Sequence, residues 1–519
     1  MDHDDKNTSV EGLVIGEGPI PLRRIVTVAA GKGFVRISNN PNFLHKLNTS
    51  REKLHTALTV GAPIYGVTTG YGQSCGNRID ALDAAELGNN LIRYHGCGVG
   101  ELLPMVETRA AILCRLASLA QGFSGVSETL LQRLAALINA NITPLVPSIG
   151  SVGASGDLTP MSYIASVLQG ERMAQYQGRT MMAAEALQRA GLEPYRFGCK
   201  EHLSMLNGTS IMTGIAATAV ERSRVLLRAA SVATALSLHA LAGHARQFHP
   251  SLVNAKPHPG QQRIGSLLRS LLHGGKDAPE SSADETLQDP YSIRCAPQIL
   301  GVLADGLDWV GNWVENEINS CNDNPLIDPD GSILMGGNFY GGHIAFAMDS
   351  LKNALATVAD LADRQIALLV DQRFSRGLPM GLAVATRGER AVHHGFKAMQ
   401  ITASALCAEA QKNTMPAMAF SRSTESHNQD IVSMGTLAAR DVSRQCLLVG
   451  KVIAIELLTA VQACEIRGKL EARPQLQQIA KKIRALSPAV LVDRPLDKDI
   501  DAIDEALGTI CSGVEDTNG

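Results

Sequence analysis

The stretch Gly150-Ser151-Val152-Gly153-Ala154-Ser155-Gly156-Asp157-Leu158-Thr159-Pro160 joins an irregular run containing Pro144 and Pro147 to an apolar segment, Met161 to Leu168. That segment has the pattern of a helix, and Pro160 suits its first turn. Ala154-Ser155-Gly156 is therefore expected at a loop-to-helix junction. Ordinary turn chemistry would account for it, with Ser155 or Asp157 capping the helix and the glycines making the turn. A second reading concerns the backbone. A glycine nitrogen carries no neighbouring Cβ, so Gly156 N can approach the Ala154 carbonyl. If it adds there and two waters leave, one of them taking the Ser155 hydroxyl, a methylidene-imidazolone ring results. Such a ring is a strong electrophile made without an added cofactor, and a helix N-terminus beside it would stabilise developing negative charge.

The stretch resembles the signature of the aromatic amino acid lyases: the histidine, phenylalanine and tyrosine ammonia-lyases and the related 2,3-aminomutases. The resemblance implies that Ala154, Ser155 and Gly156 form this ring as the self-made cofactor, with no metal or nucleotide. Removing ammonia from an α-amino acid also requires a base for the β proton and a clamp for the carboxylate.

Further motifs extend the resemblance from about residue 11 to 470. Pro63-Ile-Tyr65-Gly-Val-Thr-Thr-Gly-Tyr71-Gly72-Gln is similar to the family's glycine-rich loop, whose first tyrosine is the base; that implies Tyr65, with Gly72 beside the substrate. A phenol titrates near pH 10, so Tyr65 is expected to need positive charge nearby. The glycines at 66, 70, 72 and 76 do not fit a dinucleotide-binding pattern. Gln288-Asp-Pro-Tyr291-Ser-Ile-Arg294 is similar to the segment supplying the carboxylate clamp, here Arg294 with Tyr291 and Gln288, and arginine suits it because its fork makes two parallel hydrogen bonds. Asn207 matches the asparagine that supports the ring. Phe339, in Asn338-Phe339-Tyr340-Gly-Gly-His343, matches a phenylalanine packed beside the ring, although the family often has histidine at the position of Tyr340.

Glu425, Asn428 and Gln429 lie in Ser423-Thr-Glu425-Ser-His-Asn428-Gln429-Asp430. The phenylalanine and tyrosine enzymes resemble this chain in having glutamine at Gln429, where the histidine enzymes have glutamate. The side-chain selector corresponds to Tyr94-His95, a pair matching none of the common ones. A buried histidine needs a polar partner, and a substrate phenol would be one. The resemblance thus implies an ammonia-lyase acting on L-tyrosine. Tyrosine or phenylalanine 2,3-aminomutase and histidine ammonia-lyase are the alternatives.

Composition supports a helical protein. Of 519 residues, 45% are hydrophobic but only 4% aromatic, so small apolar side chains build the core. The net charge of −3 gives no reason to expect nucleic acid or a membrane surface. Met1 to Lys6 is polar, without the apolar core of a secretory signal, and Ala229 to Gly243 is too short to span a bilayer. Ten cysteines without a CxxC pair suit reduced thiols, and a cytoplasmic location is expected. His393-His394 is expected on a solvated helix face rather than at a metal.

Strands are predicted at Arg24 to Ala30 and Gly33 to Ile37, and short helices with Gly/Pro loops over 41–210. Long helices are predicted at 209–245, 297–320, 390–412 and 432–468. Another has Leu351, Ala354, Leu355, Val358, Leu361, Ala362 and Leu369 on one face, with Lys352, Asn353, Asp360, Asp363 and Arg364 elsewhere. The expected architecture is mainly α: a cofactor-bearing N-terminal domain (1–208) with a few short strands, a central helical bundle (209–480) and a short C-terminal helical segment (481–519). The resemblance implies a homotetramer whose shared sites need not unite Tyr65, Ser155 and Arg294 within one chain, and a small aromatic amino acid as the partner. A fumarase-type lyase would need a Gly-Ser-Ser-x-Met-Pro-type loop, which is absent, and a scaffold with a decayed site would be expected to lack a reacting residue.

Overall fold

A computed structural model describes residues 12–80, 83–273, 287–384, 392–468 and 470–514; the Met1–Lys6 segment lies outside them. The protein is mainly α-helical, and among the described residues short strands occur only within 12–182 and 326–334. In chain order the elements are β1 (Gly12–Ile15), α1 (Leu22–Ala29), β2 (Phe34–Ile37), α2 (Pro41–Thr59), α3 (Ala84–Tyr94), β3 (Val99–Leu102), α4 (Met105–Leu119), α5 (Glu128–Asn139), β4 (Thr143–Pro144), β5 (Pro147–Ile149) and α6 (Leu158–Leu168). Then come β6 (Met173–Tyr176), β7 (Arg179–Met182), α7 (Ala183–Arg189), α8 (Glu201–Leu206), α9 (Ser210–Ala240), α10 (Pro250–Ala255), α11 (Pro259–His273), α12 (Tyr291–Arg294) and α13 (Ala296–Ile318). The last are β8 (Leu326–Ile327), β9 (Ile333–Leu334), α14 (Gly342–Val370), α15 (Lys397–Lys412), α16 (Gly435–Arg467), α17 (Pro474–Leu486) and α18 (Asp497–Ile510).

The chain divides into two compact units. The first comprises 1–219, 310–349 and 416–443, and the second 220–309, 350–415 and 444–519. In the first, β1 and β2 pair in parallel, β3 pairs with β5, and β4, β6 and β7 form a small antiparallel sheet. The predicted strand at Arg24–Ala30 is instead part of α1. Its β-branched residues favour a strand locally, but Leu22, Ile25, Val28 and Ala29 recur at helical spacing and all are buried. Glu315 accepts from Leu22 N, satisfying one amide of the first turn.

Helix α4 is buried from Glu107 to Leu119 and packs against α1 and α5. Its Arg109 donates to the Ala29 and Ile138 carbonyls, near the C-termini of both neighbours, where a cation complements the helix dipole. Helix α8 packs against α3 and α6. Lys200, just before α8, pairs with Asp323 at 2.7 Å with both side chains fully buried, and Ser204 donates to the same carboxylate. Burial raises the Asp323 carboxyl, but Lys200 and Arg115 outweigh it and hold it below the usual carboxylate range.

In the second unit, α14 buries the expected Leu351, Leu355, Val358, Leu361, Ala362 and Leu369, but Lys352 and Asp363 are buried too. Asn353, Thr357 and Arg364 form the exposed face of the helix, whereas Asp363 faces inward and Ser404 answers it at 2.6 Å. His393-His394 precedes α15 in a loop, and Asp493 accepts from the His394 and Gly395 amides. Among the described residues, one helix, α16, is long and apolar enough to cross a membrane; its most apolar window is 89% buried by the protein itself, as in a core helix. All ten cysteines are free thiols.

Breaking the buried Lys200–Asp323 pair leaves an uncompensated charge beneath α8. Lys200→Met is expected to cost about 3–5 kcal/mol in denaturant unfolding. An unchanged midpoint would show that Asp323 is neutralised another way.

Candidate active site

The first part of the Gly150–Pro160 stretch, up to Asp157, forms a loop against the end of α8. Gly153 and Gly156 have φ of 81° and 80°, and Ser155 lies in the left-handed region at 52°. Gly156 and Gly208 meet backbone to backbone: a Cβ on Gly156 would lie 2.0 Å from the Gly208 oxygen. Gly208 N donates to the Ser155 carbonyl at 3.0 Å, and Asp157 N donates to the Gly208 carbonyl at 2.7 Å. Helix α6 begins immediately afterwards, with Pro160 in its first turn as expected.

Asp157 occupies the N-cap position of α6, yet its side chain makes no bond to that helix. Its carboxylate accepts from Met212 N, in the first turn of α9, at 2.9 Å, from Ser151 at 2.9 Å, and from Thr436. Burial pushes this carboxyl up, against those three hydrogen bonds and nearby Arg115. Asp157 thus anchors the loop to α9 and α16, a role that its own segment could not reveal.

A cavity of about 180 Å³ lies over the loop. It brings together Tyr65, Gly72, Tyr94, His95, Ala154, Ser155, Gly156, Asn207, Glu425 and Gln429, all within the first unit. Gln429 Nε2 donates to the Ser155 hydroxyl at 3.2 Å, and Thr424 donates to Gln429 Oε1 at 2.9 Å. Asn207, 2% exposed, turns its Nδ2 to the Asn324 carbonyl, while its Oδ1 has no partner among the described residues. A buried unpaired acceptor is costly unless something occupies the cavity and donates to it.

Tyr65 OH accepts from Gly72 N at 2.8 Å, which favours its phenolate. Burial nevertheless raises this phenol, and Glu425 and Cys75 raise it further. The expected cation is not among the groups acting on Tyr65 in the described residues. Glu425 Oε2 accepts from Gln73 N at 3.2 Å and rests where a Cβ on Gly72 would be, 2.1 Å from that oxygen. Tyr94 is 55% exposed, yet desolvation, then Glu425 and Tyr65, push it up to about 12. Desolvation lowers His95 to about 4, against Glu425, so its ring is neutral at pH 7. The ring lies 4.6 Å from that of Tyr94 and makes no hydrogen bond among the described residues.

Gln288, Tyr291 and Arg294 belong to the second unit and do not line the cavity. Gln288 and Tyr291 are exposed, and Arg294 stacks over the Tyr291 ring at 4.5 Å, its buried Nε unpaired among the described residues. Phe339 and Asn428 belong to the first unit but do not line the cavity either. Sequence reasoning passed over Leu91, Leu203, Thr424 and the second tyrosine of the glycine-rich loop, Tyr71, which packs edge-on to Tyr65 with ring centres 6.3 Å apart. It also passed over Arg115, whose signal is a lone cation in the apolar run Ile112-Leu113-Cys114-Arg115-Leu116-Ala117. No cluster of three or more metal-ligating side chains occurs among the described residues.

The family model "Aromatic amino acid lyase" matches residues 20–485. The chain is 38% identical over 506 residues to a histidine ammonia-lyase of Gloeobacter violaceus, covering 97% of each protein. It is also 38% identical over 484 residues to an MIO-dependent tyrosine 2,3-aminomutase of Streptomyces globisporus, covering 89% of each. A crystal structure of the tyrosine aminomutase from Streptomyces globisporus superimposes with a TM-score of 0.89 at 35% identity, over 96% of this chain and 97% of that one.

Replacing Glu425 by glutamine removes the negative charge that raises Tyr65 and Tyr94 and that supports the His95 cation. Both phenols are then expected to titrate at lower pH by ultraviolet difference spectroscopy, and His95 at lower pH still by NMR. Unmoved phenols would separate Glu425 from the cavity.

Proposed function

Because the chain belongs to the aromatic amino acid lyase family, we propose that it acts on L-tyrosine or a related phenol-bearing amino acid as a 2,3-aminomutase, with ammonia-lyase turnover as the other outcome of the same chemistry. Membership carries the coarser statement, that the protein is an enzyme acting on the carbon–nitrogen bond of an aromatic amino acid. The substrate and the fate of the ammonia are our reading.

The observation that carries the phenol is His95, a neutral ring at the cavity wall that makes no hydrogen bond among the described residues. A substrate hydroxyl would pair with it, and a site built to hold a hydroxyl discriminates against the analogue lacking one. Gln429 supports the same choice, since the resemblance associates glutamate there with histidine as substrate. The likeness to the Gloeobacter enzyme keeps histidine ammonia-lyase as the second reading.

We assign the family's methylidene-imidazolone to Ala154-Ser155-Gly156, where the left-handed Ser155 and the Cβ-free contact of Gly156 with Gly208 suit a closed ring. That group supplies an electrophile for the substrate amine and so makes the amine a better leaving group. The chain's own residues do the rest. Asn207 Oδ1 accepts a hydrogen bond from the amine, Gln429 orients the Ser155 position, and Tyr65, whose phenolate Gly72 N favours, takes the β proton and becomes neutral. Arg294 grips the carboxylate, flanked by Tyr291 and Gln288, with Phe339 and Asn428 completing the binding surface. These five reach a cavity of another copy in a homotetramer. Elimination gives an arylacrylate and ammonia; returning the ammonia to the β carbon gives a β-amino acid, and releasing both completes the lyase reaction.

Intact mass of the denatured protein is expected to fall short of the sequence mass by two waters. Ser155→Ala is expected to abolish the second water loss and most of the activity while the protein stays folded. Incubation with L-tyrosine, L-phenylalanine and L-histidine separately, followed by chromatography, is expected to yield β-tyrosine with some coumarate. Urocanate as the sole product would overturn the proposal in favour of histidine. His95→Leu is expected to shift the kcat/KM ratio from tyrosine towards phenylalanine by roughly 10²-fold or more.

A further inference from the structure

Arg115, in α4, has a fully buried side chain that forms no salt bridge among the described residues. One of its nitrogens, Nη2, donates to the Asn207 carbonyl, while Nε and Nη1 have no partner among the described residues. Burial lowers its pKa, against Asp323, Cys321 and Asp157, but a guanidinium stays protonated in proteins. The Asn207 carbonyl belongs to the same peptide unit as the Gly208 N–H, and that N–H donates to the Ser155 carbonyl at 3.0 Å. A charge-assisted bond at one end of a peptide unit polarises it and strengthens donation at the other. Arg115, the Asn207–Gly208 peptide and the Ser155 oxygen therefore form one line of polarisation.

We propose that Arg115 is a positioning residue whose charge, relayed through the Asn207–Gly208 peptide to the Ser155 oxygen, drives closure and dehydration of Ala154-Ser155-Gly156. This rests on the ring assignment above. In the reaction the Gly156 nitrogen bonds to the Ala154 carbonyl carbon and its proton passes to that oxygen; the resulting hydroxyl then leaves with the Ser155 amide proton as the first water, as a double bond forms between Ser155 N and that carbon. Ser155 then loses its Cα proton. The electron pair gathers on the Ser155 carbonyl oxygen before it returns to expel the Oγ as the second water. No oxidant or reductant is consumed. The charge builds on the atom that Gly208 N already faces, so the donor is in place before the reaction begins. Gly208 must be glycine for this line to exist, since a Cβ there would lie 2.2 Å from Arg115 Nη2.

The test follows water loss by intact mass in freshly synthesised full-length protein, with thermal unfolding recorded in parallel. Arg115→Gln keeps a donor and removes the charge. Because loss of a whole oxyanion donor costs 10²–10³-fold, dehydration in the folded glutamine variant is expected to slow by roughly 10- to 100-fold. Arg115→Lys is expected to recover part of the rate. The fraction that does close is expected to take up cyanide, again read by mass, more slowly than wild type. A purely structural arginine would change the melting temperature but neither rate. Should the glutamine variant not fold, Arg115→citrulline keeps the shape and is read the same way. Equal rates in wild type and a folded uncharged variant would overturn this inference alone. A wild-type chain of unmodified mass would overturn the ring assignment and the inference together.

Discussion

The contact between Gly156 and Gly208 governs the site. Two backbones touch there with no room for a Cβ on either strand of the contact, and the Ser155 and Asp157 backbones bond across it. Everything that faces the cavity is set relative to that junction. Helix α6 starts one turn from it, Asn207 precedes Gly208, and Asp157 ties the loop to the start of α9 and to Thr436 of α16. The buried Lys200–Asp323 pair fixes the far end of α8, so the Asn207–Gly208 peptide is held from both sides.

The electrostatics of the cavity are lopsided. Its wall carries Glu425 and three phenols, and burial raises each phenol. The fixed positive charge lies beneath the floor, in Arg115. A tyrosine base in such surroundings has only the Gly72 amide to favour its phenolate within the described residues of the chain. On the proposed reading, the substrate's ammonium and an arginine from another copy supply the missing positive charge. Proton transfer to Tyr65 is then coupled to a filled site.

Much of this was legible in the sequence because it is local. Ala154-Ser155-Gly156, the loop from Tyr65 to Gly72 and the pair Tyr94-His95 are short runs, and the structure gathers them around one cavity. What could not be read depends on long-range packing. Leu22–Ala29 looks like a strand through its β-branched residues, but burial at helical spacing prevails. Asp157 looks like a cap for its own helix and instead serves α9, more than fifty positions away in sequence. Lys352 and Asp363 fall off the apolar face of α14 yet are buried, because periodicity cannot report how many neighbours pack against a helix. Arg115 interrupts an apolar run, a signal that flags burial without naming the partner.

The glycine junction has one last consequence. The groups that would promote ring closure are drawn from four segments distant in sequence: Arg115, the 153–157 loop, Gly208 and Thr436. An incompletely folded chain does not assemble them, so on this chemistry it carries ordinary, harmless peptide where the mature enzyme carries a reactive alkene. The prosthetic group would then act as a maturation stamp, borne only by molecules that have already passed through folding.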